Sequence, residues 1–331
     1  MRPGARARTY AVTGGVGFIG YHVTRALLER GDRVVVLDDF SDAPYPRAMK
    51  ERNRADLASG FRGVDVRAGC VTDRAAVREA LAGADAVLHL AGLAGVRPSF
   101  ADPCAYMRVN VEGTANVLEA ALEVGVRRVL FASSSSVYGD STPLPAREDA
   151  PAILPASPYA ASKRAAELVA LAIARRAPDL ACTGLRFFTV YGPRQRPEMA
   201  ITLFARAIVE GRPITVFGDG SMRRDFTHVD DIARGVLLAV DREEPGYRAY
   251  NLGSGAPVTL AEMVRGLEAA CARTAIRGHA PVPLGDVAAT FADISKAGRE
   301  LGWRPEIPLV TGLGTVVAWV RAGGGPGTAA G

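Results

Sequence analysis

Two short segments of this chain supply a hydroxyl, a phenol and an ammonium group. A serine-rich turn, SSSSVYG at residues 133–139, is followed after a loop by Tyr159 and, four positions later, Lys163. Positions four apart share one helix face, so Lys163 is expected beneath Tyr159 with its charge near the phenol oxygen. A free phenol has a pKa of roughly 10, and a nearby cation lowers it. Tyr159 is therefore a candidate general base, the alternative being two surface residues of an amphipathic helix.

A glycine-rich turn near the N-terminus points to a second ligand. Gly14, Gly17 and Gly20 lie between an apolar run at 10–12 and an apolar periodic segment at 21–30. In such a strand–turn–helix pattern the backbone approaches a diphosphate closely, and the helix N-terminus faces its charge. The spacing is one residue wider at its start than the usual fingerprint. The pattern predicts a dinucleotide site.

Acidic residues follow the next apolar run. Residues 33–37 have the composition of a buried strand and lead into Asp38 and Asp39, about twenty residues beyond the glycines, where dinucleotide-binding folds place an acid. A carboxylate there accepts hydrogen bonds from the adenosine ribose and repels a 2′-phosphate. NAD is therefore favoured over NADP, with Asp38 as the first candidate. The alternative is an acid that merely solvates a strand end.

Strand-like and helix-like runs alternate through the first half of the chain. The strand-like runs are 64–69, 86–91 and 129–133, and the helix-like ones are 75–81, 106–124 and 159–175. This alternation predicts an α/β fold with a Rossmann-like, doubly wound parallel sheet. Ligands of such folds bind at the carboxyl ends of the strands, where residues 89–92 and 133–136 fall.

From about residue 194 the pattern loosens, and this part is expected to form a smaller C-terminal substrate-binding lobe. Helices are expected there at 200–210, 231–240, 260–271 and 310–321. The expected division is a flexible basic N-terminus (1–8), a mainly NAD-binding domain (9–193), a mainly substrate-binding lobe (194–322) and a disordered tail (323–331). The chain is free to cross between the two lobes.

Composition narrows the classes of function. The 331 residues are 48% hydrophobic, enough for a large core, and the net charge of +5 comes partly from arginines near the N-terminus. No compact basic and aromatic surface suggests a nucleic-acid partner, and no apolar run is long enough to span a membrane. Four scattered cysteines lack metal-ligand spacing. We therefore expect no bound metal, reduced thiols and a cytoplasmic location.

The glycine-rich turn and the pair of Tyr159 and Lys163 occur together in a known family. Over residues 9–319 the chain resembles the extended short-chain dehydrogenase/reductase family of NAD-dependent nucleotide-sugar epimerases and dehydratases. Further family motifs are HLAG at 89–92, NVEGT at 110–114, GLRFFTVYGPR at 184–194 and RDFTHVD at 224–230. Within the family, residues 133–139, 185–200 and 222–232 are most similar to UDP-glucuronate 4-epimerases. The resemblance implies a tightly held, recycled NAD and a UDP-sugar substrate.

The resemblance also implies a homodimer and roles for individual residues. Helices 106–124 and 159–175 would pair across a two-fold axis, through alanines at 165, 166, 170 and 174. Ser134 takes the place of the hydroxyl that assists the base, so the implied catalytic residues are Tyr159, Lys163 and Ser134. The implied cofactor residues are Gly14, Gly17, Phe18, Ile19, Asp38, Cys70, Val71, Leu90, Ala91, Gly92, Asn110, Ser133, Tyr159 and Lys163. The implied substrate residues are Ser135, Ser136, Thr189, Arg196, Arg97, Val216, Phe217, Arg224 and Asp286.

Residues next to Ser134 bear on the type of reaction. Where this chain has Ser135 and Ser136, 4,6-dehydratases of the family carry Asp and Glu, and decarboxylating relatives resemble them in having a Glu. Without these carboxylates elimination is not expected. The serines, with Thr189, could instead donate hydrogen bonds to a substrate carboxylate, the alternative being a plain polar turn.

Arginines supply charge complementarity in the same resemblance. Arg224 matches the family residue on the UDP diphosphate, a task suited to a guanidinium. Arg196, and less directly Arg97, would meet the sugar carboxylate. Each could equally be a surface arginine.

One position departs from the family. After the third strand relatives usually carry Gly-Asp, whose carboxylate meets the adenine, whereas this chain has Gly69 and Cys70. A thiol is a weak acceptor. Cofactor binding is still expected, because the diphosphate and ribose contacts do not depend on this residue.

The expected activity is NAD-dependent 4-epimerisation of UDP-glucuronate to UDP-galacturonate, through a transient 4-keto sugar and NADH. Two enzymatic alternatives remain, a UDP-glucose/galactose 4-epimerase and a UDP-glucuronate decarboxylase. The third is a nucleotide-sensing regulatory protein that keeps the fold without turnover.

Overall fold

A parallel β-sheet forms the centre of the structure, a computed structural model that describes residues 7–42, 46–282 and 287–325. The strands of these residues are β1 (Thr9–Thr13), β2 (Arg33–Asp38), β3 (Val64–Ala68), β4 (Ala86–His89), β5 (Arg128–Ser134), β6 (Ala181–Phe187), β7 (Thr189–Tyr191), β8 (Ile214–Phe217), β9 (Arg223–Arg224), β10 (Phe226–His228), β11 (Gly246–Leu252), β12 (Val258–Thr259) and β13 (Arg277–Ala280). The α-helices are α1 (Phe18–Glu29), α2 (Arg47–Gly60), α3 (Arg74–Leu81), α4 (Val96–Ala101), α5 (Pro103–Met107), α6 (Gly113–Glu123), α7 (Pro158–Arg176), α8 (Ala200–Glu210), α9 (Val229–Val240), α10 (Leu260–Cys271), α11 (Ser295–Leu301) and α12 (Leu309–Arg321).

The central sheet has, within these ranges, seven strands in the order β11-β6-β5-β4-β1-β2-β3. All neighbouring strands are parallel. Strand order runs outward in both directions from the junction of β1 and β4, which is the switch point where doubly wound folds bind ligands. The predicted fold class is confirmed, and the turns after β1 and β4 meet at this point.

Helices cover both faces of the sheet. Leu88 of β4 packs in a core with α1, α9 and α11, whereas its neighbour Val87 packs in a second core with α3, α6 and α7. Successive side chains of a strand point to opposite faces. A sheet buried on both faces needs continuous apolar strands, which is why the strand-like runs could be found in the sequence.

A third core lies in the smaller lobe, where α8, α10 and α12 pack with β8. The chain does not stay in this lobe after residue 194. Helix α9 packs against α1, α11 packs on β11, and β11 pairs with β6. The outermost strand of the central sheet on that side therefore comes from the second half of the chain.

Two elements differ from the sequence pattern. The pattern does not predict α2, because its buried residues Met49, Lys50, Asn53 and Leu57 are half polar and leave little apolar periodicity. The helix expected at 106–124 is present, but a π-helical turn at Arg108–Glu112 lies within it and joins α5 to α6. Hydrophobic spacing does not specify such a turn, which is frequent at functional sites.

The predicted flexible ends are partly ordered. The backbone amide of Arg8 donates to Asp32 Oδ1 at 3.1 Å, and its guanidinium pairs with Glu243 at 3.0 Å. Gly324 donates through its amide to the carbonyl oxygen of Trp319 at 2.9 Å. The remainder of these two predicted ends, residues 1–6 and 326–331, lies outside the described residues.

The alanines expected at a dimer interface have another role. Ala166, Ala170 and Ala174 are buried within the single chain. Their small side chains let α7 lie close against the rest of the large lobe, so the expectation that these three meet a partner is wrong. Ala165, the fourth alanine of that expectation, is half-buried. Leu168, in contrast, is 50% exposed on α7.

Three features of composition can be checked on the described residues. No helix among them is both long and apolar enough to cross a bilayer. Their four cysteine thiols are unpaired. No cluster of three or more His, Cys, Asp or Glu side chains in these ranges could hold a metal ion.

Candidate active site

A cavity of about 880 Å³ opens at the carboxyl ends of the central strands. It extends from the turn after β1, past the ends of β2, β4 and β5, to β8 and residues 287–291 beside the smaller lobe. Most of the predicted site residues line this one cavity. They are Gly14, Gly17, Phe18, Ile19, Asp38, Val71, Leu90, Ala91, Gly92, Arg97, Ser133, Ser134, Ser135, Ser136, Tyr159, Lys163, Thr189, Arg196, Phe217 and Arg224.

The glycine turn fits a dinucleotide diphosphate. Gly14 has a φ of +71°, and a Cβ there would lie 2.6 Å from the backbone nitrogen of Ala91. A Cβ at Gly20 would collide with the carbonyl oxygen of Gly14. Gly17 is the N-cap of α1 and provides no side-chain cap. The first amides of α1 are thus left to a ligand, and a helix N-terminus with bare amides favours an anion.

Asp38 is buried at the end of β2, which excludes the solvated alternative. Its Oδ1 accepts from the amide of Phe40 at 3.1 Å and lies 3.2 Å from Lys50 Nζ. The same ammonium is 3.1 Å from Asp39 Oδ1. Burial raises the pKa of Asp38, and the charge of Lys50 opposes this rise. Lys50, which no sequence motif indicated, therefore makes two adjacent carboxylates tolerable at the wall that suits the adenosine ribose.

The predicted catalytic residues come from the end of β5 and the start of α7. Ser157 begins α7 by accepting from the amide of Ala160 at 3.2 Å. Tyr159 and Lys163, in the first two turns, line the cavity, and Lys163 is buried. Ser134 Oγ accepts from the amide of Ser136 at 3.1 Å and donates to the Tyr159 phenol. The reading as two surface residues is excluded.

The pKa of Tyr159 differs from the expectation. Burial raises it above its ordinary value, and the hydrogen bond from Ser134 and the charge of Arg196 oppose the rise. Lys163 Nζ donates instead to the carbonyl oxygen of Ala132 at 2.9 Å. The cation whose charge favours the phenolate is therefore Arg196.

Lys163 is supported by a buried carboxylate. Burial lowers the pKa of Lys163 to about 8, and the charge of Glu167 opposes this. Glu167 is 1% exposed and accepts from Ser133 Oγ at 2.6 Å and from Arg186 Nε at 2.8 Å. Neither Glu167 nor Arg186 is expected from the sequence. The only signal was that Glu167 follows Lys163 by four residues, one helical turn.

The wall beside Tyr159 is rich in hydroxyl groups. Ser135 and Ser136 open a 3₁₀ turn, Ser135–Tyr138, and line the cavity together with Thr189 of β7. Acidic side chains among the described lining residues are limited to Asp38, Asp39 and Glu198. The first two lie at the end of β2, and Glu198 pairs with Arg196 at 3.0 Å. No carboxylate follows Ser134, so this wall can donate hydrogen bonds but offers no acid for elimination.

Three predicted arginines line the cavity. Arg196 Nη1 donates to the carbonyl oxygen of Ala94 at 3.3 Å. The Arg97 guanidinium lies 4.9 Å from the Phe217 ring centroid, which joins α4 of the large lobe to β8. Arg224 Nη1 donates to the carbonyl oxygen of Arg223 at 3.0 Å. Positive charge thus borders the part of the cavity away from Asp38.

Val216 is not where it is expected. Its side chain is buried in the core of the smaller lobe, whereas Thr215 and Phe217 line the cavity. The alternation of a strand accounts for the difference. Asp286, also expected to bind substrate, lies outside the described residues.

Asn110 and Cys70 do not line the cavity either. Asn110 Nδ2 donates to the carbonyl oxygen of Leu93 at 3.0 Å and to Ser162 Oγ at 2.9 Å, so it holds the loop after β4 instead of facing the cofactor site. The Cys70 sulfur accepts from Thr72 Oγ1 at 3.1 Å. The adjacent residues Gly69 and Val71 line the cavity.

Comparison with known proteins agrees with this geometry. Residues 10–253 match the NAD dependent epimerase/dehydratase family. The chain belongs to this family. The fit of the glycine turn and of Asp38 to a dinucleotide is thus a family property, and NAD is the cofactor.

Relatives within the family can be named more closely. A UDP-glucuronate 4-epimerase of Thermodesulfobacterium geofontis (strain OPF15) is 38% identical, covering 94% of this chain and 96% of its own. UDP-glucuronate 4-epimerase 4 of Arabidopsis thaliana is 39% identical, covering 96% and 78% respectively. The crystal structure of UDP-glucuronic acid 4-epimerase from Bacillus cereus, in complex with UDP-glucuronic acid and NAD, has a TM-score of 0.88 and 31% identity, covering 95% of this chain and 99% of that one.

Proposed function

We propose that this chain interconverts UDP-glucuronate and UDP-galacturonate by NAD-dependent epimerisation at C4. The observation that carries this proposal is the hydroxyl-rich wall beside Tyr159, formed by Ser135, Ser136 and Thr189 with Arg196 nearby. Hydroxyl and guanidinium donors suit a sugar carboxylate. The named relatives, which are UDP-glucuronate 4-epimerases, support the same substrate.

The catalytic roles follow from the geometry. Tyr159, as phenolate, accepts the proton of the sugar O4 and later returns it. Ser134 donates to the phenol oxygen, and Arg196 favours the phenolate through its charge. When bound, NAD accepts the hydride of C4 and returns it. A 4-keto sugar that turns to present its other face receives the hydride with inverted configuration.

The carboxylate makes positional control necessary. Oxidation of glucuronate at C4 gives a β-keto acid, which loses carbon dioxide when the carboxylate bond stands perpendicular to the carbonyl plane. Donors that hold the carboxylate near that plane suppress the loss, which is control of reactivity by orientation. We assign this task to Ser135, Ser136, Thr189 and Arg196. Arg224 would meet the UDP diphosphate, for which a guanidinium is well matched.

We further propose that the protein is a cytoplasmic homodimer without nucleic-acid or membrane partners. Unpaired thiols agree with a reducing compartment. The proposed interface is formed by the outward side of α7, around the exposed residues Leu168 and Ala172, together with α6. This replaces the alanine face that the structure buries.

The test is to incubate the purified protein with UDP-glucuronate, without added reductant, and to resolve the products by chromatography and proton NMR. UDP-galacturonate is expected, and a Tyr159→Phe variant should form none. Conversion of UDP-glucose alone would move the chain to the neutral-sugar epimerases. Release of carbon dioxide as the main reaction would make it a decarboxylase.

A further inference from the structure

Arg194 is firmly held although it does not line the cavity. Its φ is +68°, in the left-handed region that residues other than glycine rarely adopt. Its guanidinium lies 4.0 Å from the ring centroid of Tyr21 on α1. On α2, Asn53 Oδ1 accepts from Nη1 at 2.5 Å, and the Asp56 carboxylate accepts from Nη2. Such a backbone conformation persists only where the surroundings enforce it.

The Asn53 contact extends to the glycine turn. Asn53 is 2% exposed, and its Nδ2 donates to the carbonyl oxygen of Val16 at 2.8 Å. Val16 lies between Gly14 and Gly17, in the turn that receives the dinucleotide diphosphate. A single buried amide therefore contacts this turn with one end and Arg194 with the other.

The residues on either side of Arg194 are fixed as well. The carbonyl oxygen of Pro193 accepts from His22 Nε2 at 3.0 Å. Gln195 is buried and donates to the carbonyl oxygen of Val190 at 2.7 Å. The next residue, Arg196, crosses to Ala94 and acts on the pKa of Tyr159. The direction in which Arg196 leaves the backbone therefore depends on the conformation of Arg194.

We propose that Arg194 is a positioning residue that couples the binding of NAD to the binding of the sugar nucleotide. Asn53 transmits the state of the glycine turn to Arg194, and Arg194 sets the backbone that aims Arg196 at the substrate. The inference rests on the proposed function in one respect, that Arg196 meets the substrate carboxylate. A ligand that fixes one end of such a connection makes binding at the other end more favourable, and the effect is reciprocal.

The experiment measures release of bound NAD from the full-length protein in a Tyr159→Phe background, where no turnover occurs. Release is followed by chromatography of the filtrate, with and without saturating UDP-glucuronate. Calorimetry establishes that UDP-glucuronate is bound. The variants are Arg194→Met, which keeps a side chain on Tyr21, Arg194→Lys, Asn53→Ala and the Arg194→Met/Asn53→Ala pair. The matched control is Arg52→Met, which alters an exposed arginine on α2, the helix that carries Asn53.

UDP-glucuronate is expected to tighten NAD binding about fivefold or more in the background protein and in the control, within the usual range of coupling. Because differences in affinity lie mostly in the dissociation rate, NAD release should slow by a similar factor. In Arg194→Met and in Asn53→Ala, UDP-glucuronate should slow NAD release much less. The double variant should lose no more of this slowing than either single variant. Arg194→Lys should restore part of it. If Arg194 only stabilised the fold, its replacement would lower the melting temperature without changing the ratio of the NAD release rates measured without and with UDP-glucuronate.

The proposal is overturned if bound UDP-glucuronate leaves NAD release unchanged in the background protein. It is also overturned if UDP-glucuronate slows NAD release in Arg194→Met and Asn53→Ala as much as in the background protein. Should Arg194→Met fail to fold, Asn53→Ala and Arg194→Lys still decide between these outcomes. Failure of the proposed function is seen separately, as absence of UDP-galacturonate from the wild-type protein. The release measurement does not depend on that reaction.

Discussion

Burial shifts the pKa values of Tyr159 and Lys163 in opposite directions, upward for the phenol and downward for the ammonium. In both cases the charged form is the one that loses hydration. The charged forms, a phenolate at Tyr159 and an ammonium at Lys163, are therefore the forms that burial disfavours. Ser134 and Arg196 favour the phenolate against this effect, and Glu167 favours the ammonium, although burial still sets the direction of both shifts. The protonation state of Tyr159 thus depends on Ser134 and Arg196 as well as on its burial.

The buried carboxylate gives a prediction about pH. Lys163 is charged below its pKa of about 8, and in that form it donates most strongly to the carbonyl oxygen of Ala132, two residues before Ser134. Its neutralisation loosens this support of the end of β5, so kcat/KM should fall as the pH rises through that value. Glu167→Gln removes the negative charge that raises this pKa, and the alkaline limb should move to lower pH by about one unit. Glu79→Gln, which alters a side chain that is 80% exposed on α3, serves as control. An alkaline limb that stays in place in Glu167→Gln would show that Glu167 does not act on Lys163.

Control of the β-keto acid gives a second prediction. Thr189→Ala removes one donor from the hydroxyl-rich wall, so the 4-keto sugar should lose carbon dioxide more often. We expect the ratio of UDP-pentose to epimer to rise several-fold, as measured by chromatography of the products. Thr274→Ala, at an exposed bend, should leave the ratio unchanged. An unaltered ratio in Thr189→Ala would remove this residue from the carboxylate site.

At the scale of elements, one carboxylate joins its own loop, between β9 and β10, to two other loops beside the smaller lobe. Asp225, at 0% exposure, accepts from the amides of Ser254, Gly255 and Ala292, the last two at 3.1 Å and 3.0 Å. Asp225→Asn should lower the free energy of unfolding by about 3 kcal/mol, because a buried amide group cannot accept from all three donors. Urea denaturation measures this.

The comparison variant for that prediction is Asp179→Asn, which affects only an exposed pair with Arg127. Exposed pairs contribute roughly 0–1 kcal/mol. If Asp225→Asn lowers the free energy of unfolding as little as Asp179→Asn does, the three loops are held by other contacts.

Helices and strands could be predicted from the sequence where the residues of a short segment determine the secondary structure. The bounds expected for α8 and α10 match those observed, because apolar residues recur at helical spacing and Thr259 and Glu262 form a capping box before α10. Helix α2 escaped prediction because Lys50 and Asn53 occupy its buried face. The pairing of β11 with β6 was equally inaccessible, since it joins residues far apart in the chain.

The same distinction applies to the site. Tyr159, Lys163 and the glycine turn are local patterns and could be placed from spacing. Glu167 with Arg186, and Lys50 with Asp38, act through contacts between separate elements, and only the folded chain brings them together. Val216 was misplaced by one residue because strand alternation is visible only once the cavity side is known.

At the scale of the whole molecule, the proposed dimer can be tested through α7. Leu168→Glu places a charge on the outward side of this helix, and a buried unpaired charge at an interface is costly. We expect the variant to sediment as a monomer at concentrations where the wild type is a dimer. Ile276→Glu, which alters an exposed residue of the smaller lobe, should leave the dimer intact. A Leu168→Glu protein that remains dimeric would place the interface elsewhere.

The late arrival of β11 affects how the chain is made. On the ribosome, where residues are added at ~5–20 per second, β6 is complete well before β11 exists, and until then β6 is an open edge of the sheet. Open edges with unpaired amide and carbonyl groups are sites where two chains join incorrectly. The residues between β6 and β11 thus prolong the period in which a nascent chain is vulnerable to aggregation. Binding of a chaperone to this edge during translation would protect the yield of active protein without any effect on the finished enzyme.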